Sequence, residues 1–318
     1  MSIRSFHNAD LMTLVEIWNE HWSAAGMQAN VTAAMFEQAV LSRRFFQADH
    51  LLVAQESDAP ASPVLGWCHF VLPKMVDHGE GQDLCESATI CGLCARGSRH
   101  DVLDELLENA EQRIAKESIN QIRVGLVRDR KLGYAGLAPM GHGIGVSNFD
   151  APAVEALTQR GYQSHSTNIR MQASVMGFRP PVSRQAMQLR RSARVRTEAF
   201  SYRNARQAAS MSHLDVETHC LEDPSGNDLA KINLWFSDAE AEVMDPTMVV
   251  LDLDQAHESS ELSTAESYLI GAVIQSLAER RISRVETAVD QKKPALLEEL
   301  GKLSFKPHDE GMAWDKTL

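Results

Sequence analysis

The order in which hydrophobic periodicities follow one another is repeated in the two halves of this chain, and that repeat constrains the fold more than any single motif. In the first half a short strand covers residues 2–7, and Asn8-Ala9-Asp10 supplies a helix cap. Leu11, Leu14, Val15, Trp18 and Trp22 then recur at helical spacing up to Gly26. A second helix is predicted over Thr32–Arg43. Leu51–Ala54 and Val64–Val71 read as a hairpin, followed by a third strand at Ala88–Cys94. Asp101 opens a helix with Val102, Leu103, Leu106, Leu107, Ala110 and Ile114 on one face. A strand at Ile122–Val127, a glycine-rich loop at Arg128–Phe149, a helix at Pro152–Arg160 and a strand at Tyr162–Val175 complete the half.

The second half runs through the same sequence of elements. A helix lies near Asn204–Ser212, and strands are predicted at His213–Leu221, Leu229–Phe236 and Met248–Leu253. A long helix covers Thr264–Arg280, a strand Arg284–Val289, a helix Pro294–Lys302, and a last pair of strands ends the chain. Pro180-Pro181 and the run Arg190, Arg191, Arg194, Arg196 read as a linker. The expected domains are therefore 1–176 and 197–318, joined by 177–196. A length of 318 residues accommodates two such cores.

A formal net charge of -12 argues against nucleic acid as the main partner and favours cationic small molecules. The five cysteines give no disulfide framework, so a reducing compartment is expected. The first residues hold no apolar signal-peptide core, and no apolar run approaches the ~20 residues that span a bilayer. The expectation is a cytoplasmic protein with no membrane partner.

Each half also closes on a short signature: Leu157-Thr158-Gln159-Arg160-Gly161-Tyr162 in the first, Leu300-Gly301-Lys302-Leu303-Ser304-Phe305 in the second. Together with the element order, these segments resemble the "L-x-x-x-G-F/Y" ending of GNAT N-acyltransferases. The tail Gly311–Lys316 resembles their closing strand. The chain is thus similar to tandem GNAT proteins of the mycothiol synthase kind. The resemblance implies an α/β (α+β) fold in each half, with a mixed, mostly antiparallel central sheet flanked by helices.

The resemblance also implies acetyl-CoA as cosubstrate and a small amine as acceptor, with no metal. In such a fold the third strand splays from its neighbour, and its free edge pairs with the pantetheine arm. In the first half that strand carries Cys91, Leu93 and Cys94. The pyrophosphate would lie at the next helix N-terminus, against Arg96, Gly97, Ser98, Arg99, His100, Asp101 and Val102. The family pattern R/Q-x-x-G-x-G/A is not kept: Ser98 stands in the first position, and Asp101 and Leu103 stand where glycines belong. The corresponding loop of the second half, Gln255–Thr264, has neither glycine nor arginine and carries Glu258 and Glu261. On composition the first half keeps the better phosphate loop.

The family's chemistry needs a base for the acceptor ammonium and often an acid for the leaving thiolate. Asp252 and Asp254 on the third strand of the second half, and Glu286 on its neighbour, are candidate bases. His69 on a strand and Tyr134 in the glycine-rich loop are the analogous candidates of the first half. Met140–Gly145 does not open a helix, so it reads as a lid or acceptor loop rather than a nucleotide loop. Cys91 and Cys94 have C-x-x-C spacing on a strand without a second pair, and read as buried small side chains rather than zinc ligands. Two functions follow: an acyl-CoA-dependent N-acyltransferase with one competent half, or a catalytically silent tandem that binds a small molecule or a protein. The oligomeric state is open, with a homodimer among the options.

Overall fold

A computed structural model of the chain describes residues 1–27, 29–43, 46–59, 61–72, 87–125, 136–202, 208, 211–239, 244–253 and 261–318. The chain divides into two compact units. The first contains Met1–Thr167, Asn204–Met211 and Gly311–Leu318, and the second Asn168–Arg203 and Ser212–Glu310. Both are mixed α/β with mostly antiparallel strands.

In the first unit, β1 (Ser2–Ser5), α1 (Leu11–Ala24) and α2 (Ala33–Phe36) precede the meander β2 (Leu51–Gln55), β3 (Val64–Val71) and β4 (Ala88–Ala95). Every residue of β4 is buried, as its uninterrupted run of small and apolar side chains requires. The helix α3 (His100–Lys116) crosses over the sheet to β5 (Gln121–Val124), which lies parallel to β4. That crossover is the connection a parallel pair needs. Its Val102, Leu103, Leu106, Leu107, Ala110 and Ile114 are fully buried against the sheet. β6 (Val146–Ser147), α4 (Ala151–Gln159) and the first residues of β7 (Gln163–Ser174) follow. The strand beside β5 is the end of the chain, β13 (Lys306–Thr317), with Trp314 opposite Val124.

The second unit takes the remainder of β7 as the strand beside β12 (Arg284–Asp290), with Ser174 opposite Arg284 and Asn168 opposite Asp290. The order continues through β11 (Met248–Asp252), β10 (Asp228–Ser237), β9 (Leu214–Glu222) and β8 (Arg194–Ala199). Only β11 and β12 are parallel, joined by helix α6 (Thr264–Leu277). The short helix α7 (Pro294–Lys302) follows β12. Leu269, Ile270, Val273, Ile274 and Leu277 of α6 close the core over Val249, Leu251 and Val285.

The structure departs from the sequence reading at three places. The stretch expected as a linker holds helix α5 (Arg184–Ser192) and strand β8, because Leu189 and Ala193 pack on the second core. The expected final pair of strands is the single strand β13. The second predicted helix is one turn, α2, continued by a π-type turn over Glu37–Leu41.

Candidate functional site

In the first unit β4 and β5 are paired through Ala88–Ile90 and Ile122–Val124, where β5 ends, and residues 126–135 lie outside the described residues. Gly125 follows β5 with φ +96°, and a Cβ on it would lie 2.6 Å from the Val146 backbone N. The chain at Gly145–Val146 packs closely on this glycine. Leu137, Met140, Ile144 and Val146 are buried, and the Trp18 indole N–H donates to the Ala138 carbonyl at 2.8 Å. Met140–Gly145 was expected as a lid or acceptor loop; Met140, Ile144 and Gly145 are buried in the structure, while Asn148 and Phe149 further on are exposed. Close backbone approach explains the glycines: a Cβ on Gly145 would lie 2.3 Å from the Met312 carbonyl oxygen.

The other face of β4 is equally closed. Trp67 stacks on Trp18 with 5.1 Å between centroids and meets Phe36 edge-on at 5.5 Å. Gly92 leaves the room for this, since a Cβ there would stand 2.5 Å from the Trp67 ring. At the end of β4 the His21 ring closes the site. Its Nε2 lies 2.9 Å from Asp150 Oδ2, and its Nδ1 3.4 Å from the Ala95 backbone N. When Nε2–H donates to Asp150, a neutral ring leaves Nδ1 to accept from the Ala95 N–H. Asp150 also caps α4 by accepting from the Ala153 N–H.

The cofactor residues expected in this half fall as follows. Cys91, Leu93 and Cys94 are core side chains, and burial holds the Cys94 thiol well above its usual range. Arg96 is paired with Glu20 at 2.6 Å and with Glu16 at 3.4 Å. Gly97 turns the chain at φ +60°. The Ser98 side chain lies outside the described residues. Arg99 is bound to Asp101, and this bond, with N–H groups of the helix's own first turn, lowers the Asp101 carboxyl below the usual range. His100 begins α3 and Val102 is buried under Gly66. Asp101 stands in the first turn of α3, and His21 lies at the Ala95 end of β4. Tyr134 lies outside the described residues. His69 is fully buried, and burial, with His50 nearby, pushes its ring down to about 3, so it is a neutral packing group.

The second unit parts differently. β11 and β12 are paired only from Met248 to Val250 and from Arg284 to Glu286. Beyond that point Leu251 and Asp252 pair with Leu234 and Asn233 of β10, while β12 continues alongside β7. Asp252 is half-buried at the end of β11. Helix α6 starts from a capping box in which Ser263 accepts from Glu266 N–H and Glu266 accepts from Ser263 N–H. Thr264 and Ala265 keep N–H groups with no acceptor among the described residues. Asp254 and the loop 254–260 lie outside the described residues. Donors at a helix start and a parted strand pair suit the phosphates and amides of an acyl-CoA here.

Glu286 sits at the last paired position and is fully buried. Arg170 of β7 binds it at 3.2 Å and grips Asp309 through two bonds of 2.7 and 2.6 Å. Glu286 is thus held in a buried ion network rather than presented to a cleft. The sequence reading did not single out Arg170, Asp309, His21 or Asp150. A lone arginine in a predicted strand and a histidine on an apolar helix face carry a weak signal, because their partners lie 116 to 139 residues away.

Neither a protein-family model nor a curated protein matches the chain. Solved structures do. A tandem GNAT protein from the clavulanic acid biosynthesis pathway is similar over 99% of this chain and 98% of its own, with a TM-score of 0.61 at 12% identity. A GCN5-related N-acetyltransferase from Sphaerobacter thermophilus is similar over 99% and 95%, with a TM-score of 0.60 at 10% identity. A glucosamine N-acetyltransferase region of a fungal multi-domain GH3 β-N-acetylglucosaminidase gives 0.65 at 12% identity, this chain spanning 38% of that longer protein. The protein has the tandem GNAT fold.

Proposed function

We propose that the protein is an acyl-CoA-dependent N-acyltransferase for a small amine, and that its second unit is the working half. The parting of β11 from β12 beside an uncapped pair of N–H groups on α6 carries this reading. It moves the cosubstrate from the first half, where loop composition favoured it, to the second. Bound acyl-CoA would supply an activated thioester carbonyl. The Thr264 and Ala265 N–H groups would hold its phosphates, aided by the helix dipole. The edge of β11 at Leu251–Asp252 would pair with the pantetheine amides. The acceptor arrives as an ammonium and must lose a proton before its nitrogen can attack. Asp252, on the same strand, is placed to accept that proton, directly or through water. Glu286 would keep the strand positions fixed through Arg170. The acidic net charge suits a cationic acceptor, and the buried cysteines Cys68, Cys91, Cys94 and Cys220 suit a reducing, cytoplasmic setting.

Calorimetric titration of acetyl-CoA into the intact protein, followed by acetylation of a panel of amines and aminosugars, tests the reading. One ligand per chain is expected, with Asp252→Asn lowering turnover by roughly 10²-fold while binding persists. No binding at millimolar acetyl-CoA would leave the silent tandem as the better account. The filled first unit and the Glu266 carboxylate beside the α6 cap are the observations on that side.

A further inference from the structure

The second unit also contains a pocket of about 520 Å³ enclosed by α5, α6, the end of α7 and the strap Pro180–Ser183. The strap is seated by Gly271, where a Cβ would lie 3.0 Å from Pro180 Cβ and 3.7 Å from Leu303 Cδ2. Any larger residue at this position would push the strap outward. The pocket follows α6 from Thr264 to Gln275, a distance of roughly 16 Å at the helical rise per residue. Most of it therefore lies beyond the first turn, where the phosphates of an acyl-CoA would end.

Its volume is in the range of sites for small organic molecules. Its charge differs from that of the whole chain. The lining includes Arg190, which has no carboxylate partner among the described residues. In a protein of net charge -12 an exposed guanidinium without a partner is a ready donor fork for oxygen anions. Lys302 adds a second cation, already held by Glu299 at 2.7 Å and Glu298 at 3.1 Å. Ser267 and Tyr268 contribute hydroxyls, and Met187 and Leu262 contribute apolar wall.

We infer that this pocket binds a small organic oxyanion, a carboxylate or phosphate ester on a compact apolar body. Arg190 grips the oxygens, the hydroxyls of α6 orient them, and Met187 covers the body. Met187 is half exposed in the structure and has apolar surface to lose on binding. Thr264 at the mouth is shared with the proposed phosphate position, but Arg190, Ser267, Tyr268 and Met187, which carry the inference, have no part in the proposed acyl transfer.

Phenyl phosphate is the probe, titrated into the intact protein by calorimetry. Saturable binding of one molecule per chain is expected, with a dissociation constant on the order of 1 mM or tighter. Arg190→Ala, an exposed position that leaves the core alone, should weaken it about tenfold. Ala272→Trp, which fills the pocket, should abolish it, with the melting temperature recorded to confirm folding. Absence of saturation, or equal binding by the wild type and both variants, overturns the assignment. So does displacement of phenyl phosphate by acetyl-CoA, which would make the pocket part of the acyl-donor site.

Discussion

Each unit contains one parallel strand pair joined over only three residues, β4 with β5 in the first and β11 with β12 in the second. The two pairs stand in different surroundings. In the first, stacked indoles cover one face of β4, the glycine-rich segment lies against Gly125, and His21 closes on Ala95. In the second, the strand edge runs on to Asp252, and the charged groups nearby are gathered into the Arg170 network at the base of the separation. Both helix starts carry a carboxylate, Asp101 in α3 and Glu266 in α6, so the difference between the units lies in the large side chains packed around β4.

Filling should make the first unit intolerant of truncation. Trp67→Ala removes a fully buried indole and its hydrogen bond to the Leu14 carbonyl. A loss of about 3–5 kcal/mol is expected, read by denaturant unfolding. If the stability were unchanged, the first unit would have to be a loose, open site and the contrast would collapse. In the second unit, Arg170→Met leaves two buried carboxylates without their cation, for a loss of about 3–5 kcal/mol at neutral pH. Recovery of most of that loss in the triple variant with Glu286→Gln and Asp309→Asn would confirm that charge, not shape, sets the cost.

A smaller effect sharpens the comparison at the closed edge. His21→Leu deprives Asp150 of a buried partner, and a loss of about 1–3 kcal/mol is expected. Amide exchange at Ala95 should accelerate in that variant without any gain in acetyl-CoA binding. New binding would show that a single side chain keeps the first seam shut. The smallest effect concerns acid. Burial pushes the Glu111 carboxyl up, but hydrogen bonds from Arg160 and Lys316 outweigh it and leave the group below its usual range. Its folded pKa is lower than its unfolded one, so the stability it adds is complete above about pH 4.3 and is lost as pH falls through the lower folded value. Melting temperatures between neutral pH and pH 3 should fall less steeply in Glu111→Gln than in the wild type.

Much of the fold was legible because it is written locally. The apolar positions of α3 and α6 recur at helical spacing, and the stretch Pro294–Lys302 is a helix as its pattern indicates. The site was less legible. Asp252 and Glu286 could be named as carboxylates on neighbouring strands, but only the folded chain shows Asp252 half-buried at the end of β11 and Glu286 fully buried. Glu286 has Arg170 from β7, far away in sequence. The phosphate loops could be compared by composition, and composition favoured the first half. Arg96 and Arg99 are nevertheless already paired with carboxylates.

The sequence by itself determined two repeats of one element order, the period of each helix and strand, and a net acidic surface, because these depend on residues near one another along the chain. Only the tertiary structure decided which strand completes which sheet. β13, from the end of the chain, lies beside β5, and the latter part of β7 lies beside β12. Backbone hydrogen bonds are the same for any strand, so the choice rests on which core buries Trp314 and which buries Met171 and Ala173. The aromatic packing around β4 and the Arg170 network beside β12 were decided in the same way, by side chains that meet only after the chain has folded.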